Sequence, residues 1–419
     1  MRFPSRLDIP EDVMEIARIL EEAGHMAWCV GGAIRDNLLG EPNSDFDIAT
    51  SATPEVVQQL FSHTIPVGER FGTVAVRTRR RHHEVTTFRR DVTTDGRHAT
   101  VAFGASLEED LARRDFTINA IAYHPLKLSW SDPFNGSLDL DGRLIRAVGD
   151  PESRFREDYL RILRGLRFAA RFEFEIEPST WDAMRATVDG SRQLSAERVR
   201  EEWFKGLRTA RDLPRLVRLW ISSGAARVWI PELLGEAQDP GGSPAGPGVR
   251  PVGRLAERSG LLSAVLGDAS ADVPRDPVLL TSLLCLDPVA VLIRLKASNA
   301  EIARATALVT GPTEPEGHSV VSVRRWMAAV GEAAADLTLL WRFRHGATAP
   351  WEPVMQGVQS RAEPLSRRQL AVSGSDLREA GIPPGPQMGL LLDRLLSLVL
   401  DDPALNTRET LLARARSLQ

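Results

Sequence analysis

The spacing of apolar residues divides the chain into a mixed first third and a helical remainder. Residues 11–24 place Val13, Ile16, Ala17, Ile19 and Leu20 at helical intervals and close on Gly24, which predicts a helix. MAWCV at 26–30 runs apolar into Gly31 and Gly32, and AIRDNLLG then returns to a helical period before stopping at Gly40. A strand, a glycine turn and a short helix are expected there. DFDIAT, RFGTVAVRT and HHEVTTFR follow with the alternation and β-branched content of strands, the last two neighbours in one sheet.

From about residue 150 the period lengthens. FREDYLRILRGLRFAARF, PSTWDAMRATV, SAERVREEWFKGLRTA and LPRLVRLWISSGAARVW each read as long amphipathic helices, and no strand of similar quality is expected after them. The Pro/Gly stretch DPGGSPAGPGVRPVG, 239–253, suits a linker or long loop. Further helices are predicted at 322–345 and in SGSDLREAGIPPGPQMGLLLDRLLSLVL. The expected organisation is α+β, with segments at 1–150, 151–238, 254–360 and 361–419.

Composition narrows the class. At 419 residues, 43% hydrophobic and 26% charged, the chain is long enough for two to four cores and too apolar for wholesale disorder. No run approaches the roughly 18 apolar residues of a membrane span, and MRFPSRLDIPEDV lacks the apolar region of a secretory signal. Cys29 and Cys285 are too few for a disulfide framework, so a cytoplasmic location is expected. A net charge of −4 excludes a cationic coat, so any nucleotide or RNA site must be a local basic patch. Of 52 basic residues only Lys127, Lys205 and Lys296 are lysines; a G+C-rich genome explains that as well as selection for bidentate recognition does.

Candidate chemistry starts at Asp45-Phe46-Asp47. Residues two apart on a strand share a face, so both carboxylates project together and could hold Mg²⁺, with Phe46 and Ile48 on the apolar side. Alone, such a pair is commoner on a solvated strand edge. Its neighbour is VGGAIRD, 30–36, where Gly31 and Gly32 would let phosphate oxygens approach a helix start and Arg35 adds a charge-assisted donor. A glycine turn beside a two-carboxylate strand is more specific than either motif. Glu84 could supply a third acidic ligand from a neighbouring strand, depending on register.

These blocks and three later ones resemble the nucleotidyltransferase superfamily that includes DNA polymerase β, and within it the class II tRNA nucleotidyltransferase and bacterial poly(A) polymerase family. LEEDLARRDFTINAIAY, 107–123, is similar to the family's ribose and phosphate motif through Arg113, Arg114, Asp115 and Asn119. REDYLRILRGLRFAARF, 156–172, resembles the motif that reads the incoming base, and SAERVREEW, 195–203, matches its supporting helix through Glu197, Arg198 and Glu202. SGSDLREAGIPPGPQMG resembles the family's tail, whereas 240–360 has no counterpart among these motifs.

The resemblance implies a small polymerase-β-like sheet domain over 1–150 as catalytic head. A helical neck over 151–238 carries the base-reading helix, a body spans 254–360, and a tail at 361–419 meets tRNA. It implies addition of C, C and A to the tRNA 3′ end from CTP and ATP by two-metal nucleotidyl transfer with release of pyrophosphate, Asp45 and Asp47 holding Mg²⁺. Gly31, Gly32 and Arg35 would seat phosphates, and Arg114, Asp115 and Asn119 the sugar and phosphate region. Asp158 and Arg161 would read the base, and Arg164 and Arg167 would contact the nucleotide. An A-adding or CC-adding specialist, or a poly(A) polymerase, would share every motif; a silent RNA-binding protein would not need both aspartates. The polar segment 86–103 resembles the family's flexible element and is full length, which favours complete CCA synthesis.

Base selection also follows from hydrogen-bond chemistry. Tyr159, Ile162, Leu163, Leu166, Ala169 and Ala170 form one apolar stripe, with Glu157, Arg161, Arg164, Phe168 and Arg171 on the other side. A carboxylate that accepts and a guanidinium that donates, one turn apart at Asp158 and Arg161, suit an amino group beside a ring-nitrogen acceptor. Cytosine and adenine present that edge; uracil and guanine present the reverse. The alternative is a surface salt bridge between the two, worth ~0.2–0.5 kcal/mol. None of the eight histidines precedes an aspartate, which argues against an appended metal-dependent phosphohydrolase, and no Cys/His zinc spacing occurs.

Overall fold

The computed structural model describes residues 3–41, 45–68, 72–78, 81–94, 99–233 and 273–418. The chain divides into two compact units, Met1–Gln238 and Asp239–Gln419. The expected linker at 239–253 and Gly96 lie outside the described residues.

In the first unit, α1 (Glu11–Glu22) buries Val13, Ile16, Ala17 and Leu20 and ends before Gly24, whose φ of +85° favours glycine. It leads into β1 (Ala27–Val30), α2 (Gly32–Leu38), β2 (Asp47–Thr50) and α3 (Pro54–Leu60). Strands β3 (Thr64–Gly68), β4 (Thr73–Arg77) and β5 (His82–Thr87) follow, then β6 (Arg89–Thr94), β7 (Ala99–Phe103) and α4 (Leu107–Ala112). Two further strands, β8 (Ala122–His124) and β9 (Ser129–Ser131), complete a sheet ordered β3-β4-β5-β2-β1-β8-β9 among the described residues. Pairing is antiparallel except between β2 and β5, and β4 lies beside β5 as their patterns predict. β6 and β7 form a separate antiparallel hairpin. Val30, Ala49, Phe88, Leu111, Ala120, Ala122 and Val148 form a buried cluster on the sheet.

After α5 (Gly136–Asp141) and β10 (Leu144–Ile145) come α6 (Pro151–Glu157) and α7 (Leu160–Phe172). The block expected as one helix over FREDYLRILRGLRFAARF is therefore two. Asp158 is extended, at φ −152° and ψ 104°, and its Oδ1 accepts from Leu160 N–H at 3.1 Å, capping α7 locally. β11 (Glu175–Ile176) makes a two-residue parallel pair with β10 that no pattern announced. The unit ends with α8 (Pro178–Thr187), α9 (Ala196–Thr209), α10 (Leu213–Ser222) and α11 (Ala225–Trp229).

The described part of the second unit is helical. The segment predicted at 322–345 is two helices, Val320–Val330 and Ala333–His345, parted at Gly331 with φ +57°. The tail helices Pro386–Asp401 and Arg408–Ser417 pack around Leu377, Leu395, Val399, Leu411 and Ala415. No helix among the described residues is long and apolar enough to cross a membrane.

Candidate active site

The acidic pair sits where β2 begins. Phe46 and Ile48 are each 1% exposed while Asp45 and Asp47 are exposed, so the alternation continues through the two residues preceding the strand. Ile48 pairs with Val85 in the parallel register of β2 and β5, which brings Glu84 beside Asp47. Sequence could not settle that register, and the structure puts both carboxylates in the wall of one pocket. Burial first, then Glu84 and Asp45, push the Asp47 carboxyl up to about 6 against the opposing pull of Arg114. Three mutually repelling acids are a ready counter-charge for a divalent cation.

Among the described residues no group of three or more His, Cys, Asp or Glu side chains is arranged to hold a metal by itself. That suits Mg²⁺, which usually takes one or two carboxylates together with water and substrate phosphates. A proton and a cation then compete for Asp47. Affinity for Mn²⁺ is expected to weaken about tenfold between pH 7.5 and pH 5, since one proton must leave a group with a pKa of about 6. Calorimetric titration at the two pH values checks this; a flat response would place the metal elsewhere.

Gly31 precedes α2 with φ +80°, and a Cβ there would lie 3.2 Å from Arg114 Nη1 and 3.5 Å from Asp47 Oδ2. Glycine is thus favoured by the backbone, and a side chain there would also press on the end of Arg114. Gly32 has only ordinary neighbours. Arg35 departs from the simple picture of an open phosphate donor. It is 4% exposed, donates to Asp36 Oδ1 through Nε at 2.8 Å, and donates to Asn119 Oδ1 through Nη1 at 2.5 Å. It lines the pocket as a clamped cation.

The pocket encloses about 570 Å³. Arg35, Arg89, Arg113, Arg114, Arg161, Arg164, Arg167, Arg171 and Arg198 line it, with Asp47, Glu84, Asp115 and Asp158, and Asp36, Asp110, Glu157 and Glu202 pair with six of these arginines from behind. In a chain of net charge −4 this concentration of arginine along one cavity is the local basic patch that the sequence required of a nucleotide site. Buried carboxylates hold the fan in place. Asp110 accepts from Arg113 Nε at 3.1 Å and Arg114 Nη2 at 3.3 Å. Asp115 accepts from Arg164 Nε at 2.7 Å, Asn119 Nδ2 at 2.8 Å and the Phe116 N–H at 2.9 Å. Burial alone would raise its carboxyl, but Arg164 and Asn119 hold it well below the usual carboxylate range. Arg167 Nε donates to Glu202 Oε2 at 2.6 Å, so this arginine also faces the pocket from a buried ion pair.

Asp158 and Arg161 both line the pocket but do not pair with each other. Asp158 Oδ2 accepts from Arg198 Nη2 at 2.8 Å. Arg161 donates to Glu157 Oε2 and Arg154 O through Nη1, at 2.7 and 2.9 Å, and to Arg113 O through Nη2 at 2.9 Å. Of five guanidinium hydrogens, these bonds leave Nε–H and one on Nη2 for a ligand. Thr73, Thr86 and Arg89 also line the pocket and were not singled out by sequence. Thr86 lies two residues past Glu84 on β5, so the strand period could have found it.

Two known family models match parts of the first unit. Residues 27–146 match the model of the poly A polymerase head domain, and 173–235 one described as "Probable RNA and SrmB- binding site of polymerase A". The CCA-adding enzyme of Limosilactobacillus fermentum is 33% identical over 419 residues, 97% of each chain. That of Streptococcus suis (strain 05ZYH33) is 42% identical over 246 residues, 55% of this chain and 58% of the relative, so the chain matches little more than half the length of that protein. The crystal structure of Bacillus stearothermophilus CCA-adding enzyme in complex with CTP superposes with a TM-score of 0.62 at 30% identity, covering 97% of this chain and 96% of that one.

Proposed function

The chain belongs to the CCA-adding enzyme family, and from that premise we propose that it adds C, C and A to the 3′ end of tRNA from CTP and ATP, releasing pyrophosphate. The observation that supports this best is the acidic β2 edge opening onto an arginine-lined pocket. Asp45 and Asp47, with Glu84 alongside, are the residues to hold Mg²⁺. In two-metal transfer, one bound ion would lower the pKa of the primer 3′-hydroxyl and the other would neutralise charge on the triphosphate.

The remaining work falls to this chain's own side chains. The 3′-oxygen forms a bond to the α-phosphorus as the bond from that phosphorus to the α–β bridging oxygen breaks; the electron pair leaves with pyrophosphate and the hydroxyl proton passes to solvent water. Charge that builds on the leaving pyrophosphate meets guanidiniums already fixed by Asp110, Asp115 and Glu202, which therefore need little reorganisation. Gly31 keeps the α2 start clear for phosphate oxygens. Asp158 accepts from the base amino group and Arg161 donates to the ring nitrogen, which admits C and A and refuses U and G. We assign catalysis to 1–150, base reading to 151–238 and tRNA contacts to the helical remainder, its tail included, and place the reaction in the cytoplasm.

One assay tests the reading. The protein is supplied with tRNA ending before CCA, tRNA ending after CC, or an unrelated RNA, together with CTP, ATP or both. Complete CCA is expected on the first with both nucleotides, a single A on the second, and nothing on the third. Long A tails on unrelated RNA would instead make it a poly(A) polymerase, and a halt after CC or a failure to add C would make it a specialist.

A further inference from the structure

We propose that Phe168 is a positioning residue of the nucleotide pocket, a neutral ring against which three guanidiniums are held before any triphosphate arrives. The proposal rests on the reading of that pocket as a triphosphate site. Phe168 occurs on the polar stripe of α7 among Arg161, Arg164 and Arg171, where the helical period calls for another polar residue. It is nevertheless 3% exposed. Its ring centroid lies 4.2 Å from Cζ of Arg167, 4.9 Å from that of Arg35 and 5.4 Å from that of Arg164. These cations come from α2 and α7, so the ring joins the two elements that frame the pocket.

Two other aromatics fix the ring itself. Phe116 meets it edge-on at 6.0 Å and 89°, and Phe172 lies at 6.0 Å with planes 18° apart. Arg35 is equally close to Phe172, at 4.8 Å, and Arg171 lies 4.7 Å from that second ring. Carboxylates hold these arginines by ion pairs: Asp36 takes Arg35 and Arg171, Asp115 takes Arg164, and Glu202 takes Arg167. A fourth carboxylate at 168 would gather the cations too, but it would subtract from the positive charge that must meet the phosphates. The face of a phenyl ring attracts guanidiniums through its quadrupole and adds no net charge. Leucine would fill the space without that attraction.

Because the ring acts through the arginines, its loss should weaken nucleotide binding in ground and transition states alike. Phe168→Leu is expected to raise KM for CTP by up to about thirtyfold, the size of one desolvated cation–π contact, with kcat changing much less. Phe168→4-fluorophenylalanine and Phe168→pentafluorophenylalanine keep the volume while weakening and then reversing the quadrupole. KM and the calorimetric Kd for inorganic triphosphate should rise in that order, measured at a temperature where circular dichroism shows each variant folded, and Tm should fall in the same order because the contacts already exist in the free protein. Should the leucine variant fail to fold, the fluorinated pair carries the test. A pentafluorinated enzyme that binds CTP and triphosphate as tightly as the parent overturns the proposal and leaves the triphosphate reading intact; a parent that binds neither strikes that reading itself.

Discussion

Asp47→Ala is expected to lower nucleotide incorporation by roughly a thousandfold or more, the scale set when a metal ligand supplying several kcal/mol of transition-state stabilisation is lost. Labelled CTP incorporation on tRNA ending before CCA measures it, and full activity would exclude the mechanism. Folding should survive, for a reason found in the site. Asp47 stands at the first position of β2 on the pocket wall, open to solvent there, and desolvation by the surrounding wall together with Glu84 and Asp45 raises its carboxyl to about 6. A carboxylate whose folded pKa is raised binds its proton more tightly in the native state, so its ionisation opposes folding increasingly as pH climbs from about 4 through about 6. In metal-free buffer at pH 7.5 the alanine variant should therefore melt no lower than the parent. A large drop in Tm would show that the acid supports the fold and not the chemistry.

Glu202→Ala should cost much of the stability of the first unit. Its side chain is 4% exposed and that of its partner Arg167 is 9% exposed, with Nε donating to Oε2 at 2.6 Å. Removing the acid strands a buried guanidinium, which typically costs about 3–5 kcal/mol. For a unit of this size that corresponds to a fall in Tm of roughly 10 °C. Glu202→Gln keeps an acceptor and should lose less. Circular dichroism melts of the two variants decide the matter, and an alanine variant as stable as the parent would mean that Arg167 finds another partner.

The base-reading block shows where local pattern stops being informative. Its apolar stripe is legible because Ile162, Leu163, Leu166, Ala169 and Ala170 recur at the helical period, and all are buried. The break at Asp158 is not, because a residue that bonds a following N–H ends one helix and starts another with little change in composition. Nor could spacing reveal that Asp158 turns to Arg198, forty positions on, while Arg161 turns to Glu157 and two carbonyls. Those choices depend on how α9 lies against α7.

Arg35 teaches the same lesson in the glycine turn. Its place after Gly31 and Gly32 suggests an open phosphate donor, yet Asp36, Asn119 and two phenyl rings enclose it. Asn119 lies 84 residues away along the chain, beyond the reach of any motif.

What the residue order determined unaided was the alternation placing Asp45 and Asp47 on one face, the glycine that lets a helix start approach them, and the periodicity of the helices. Each is a property of neighbours within a turn or a strand, where backbone geometry dictates which side chains share a face. The tertiary structure alone decided that Glu84 stands beside Asp47, that nine guanidiniums surround one cavity, and that a phenyl ring lies among them. Strand register and helix packing settle those placements, and both arise from the burial of apolar faces against distant partners, a sum over the whole unit that no short stretch of sequence contains.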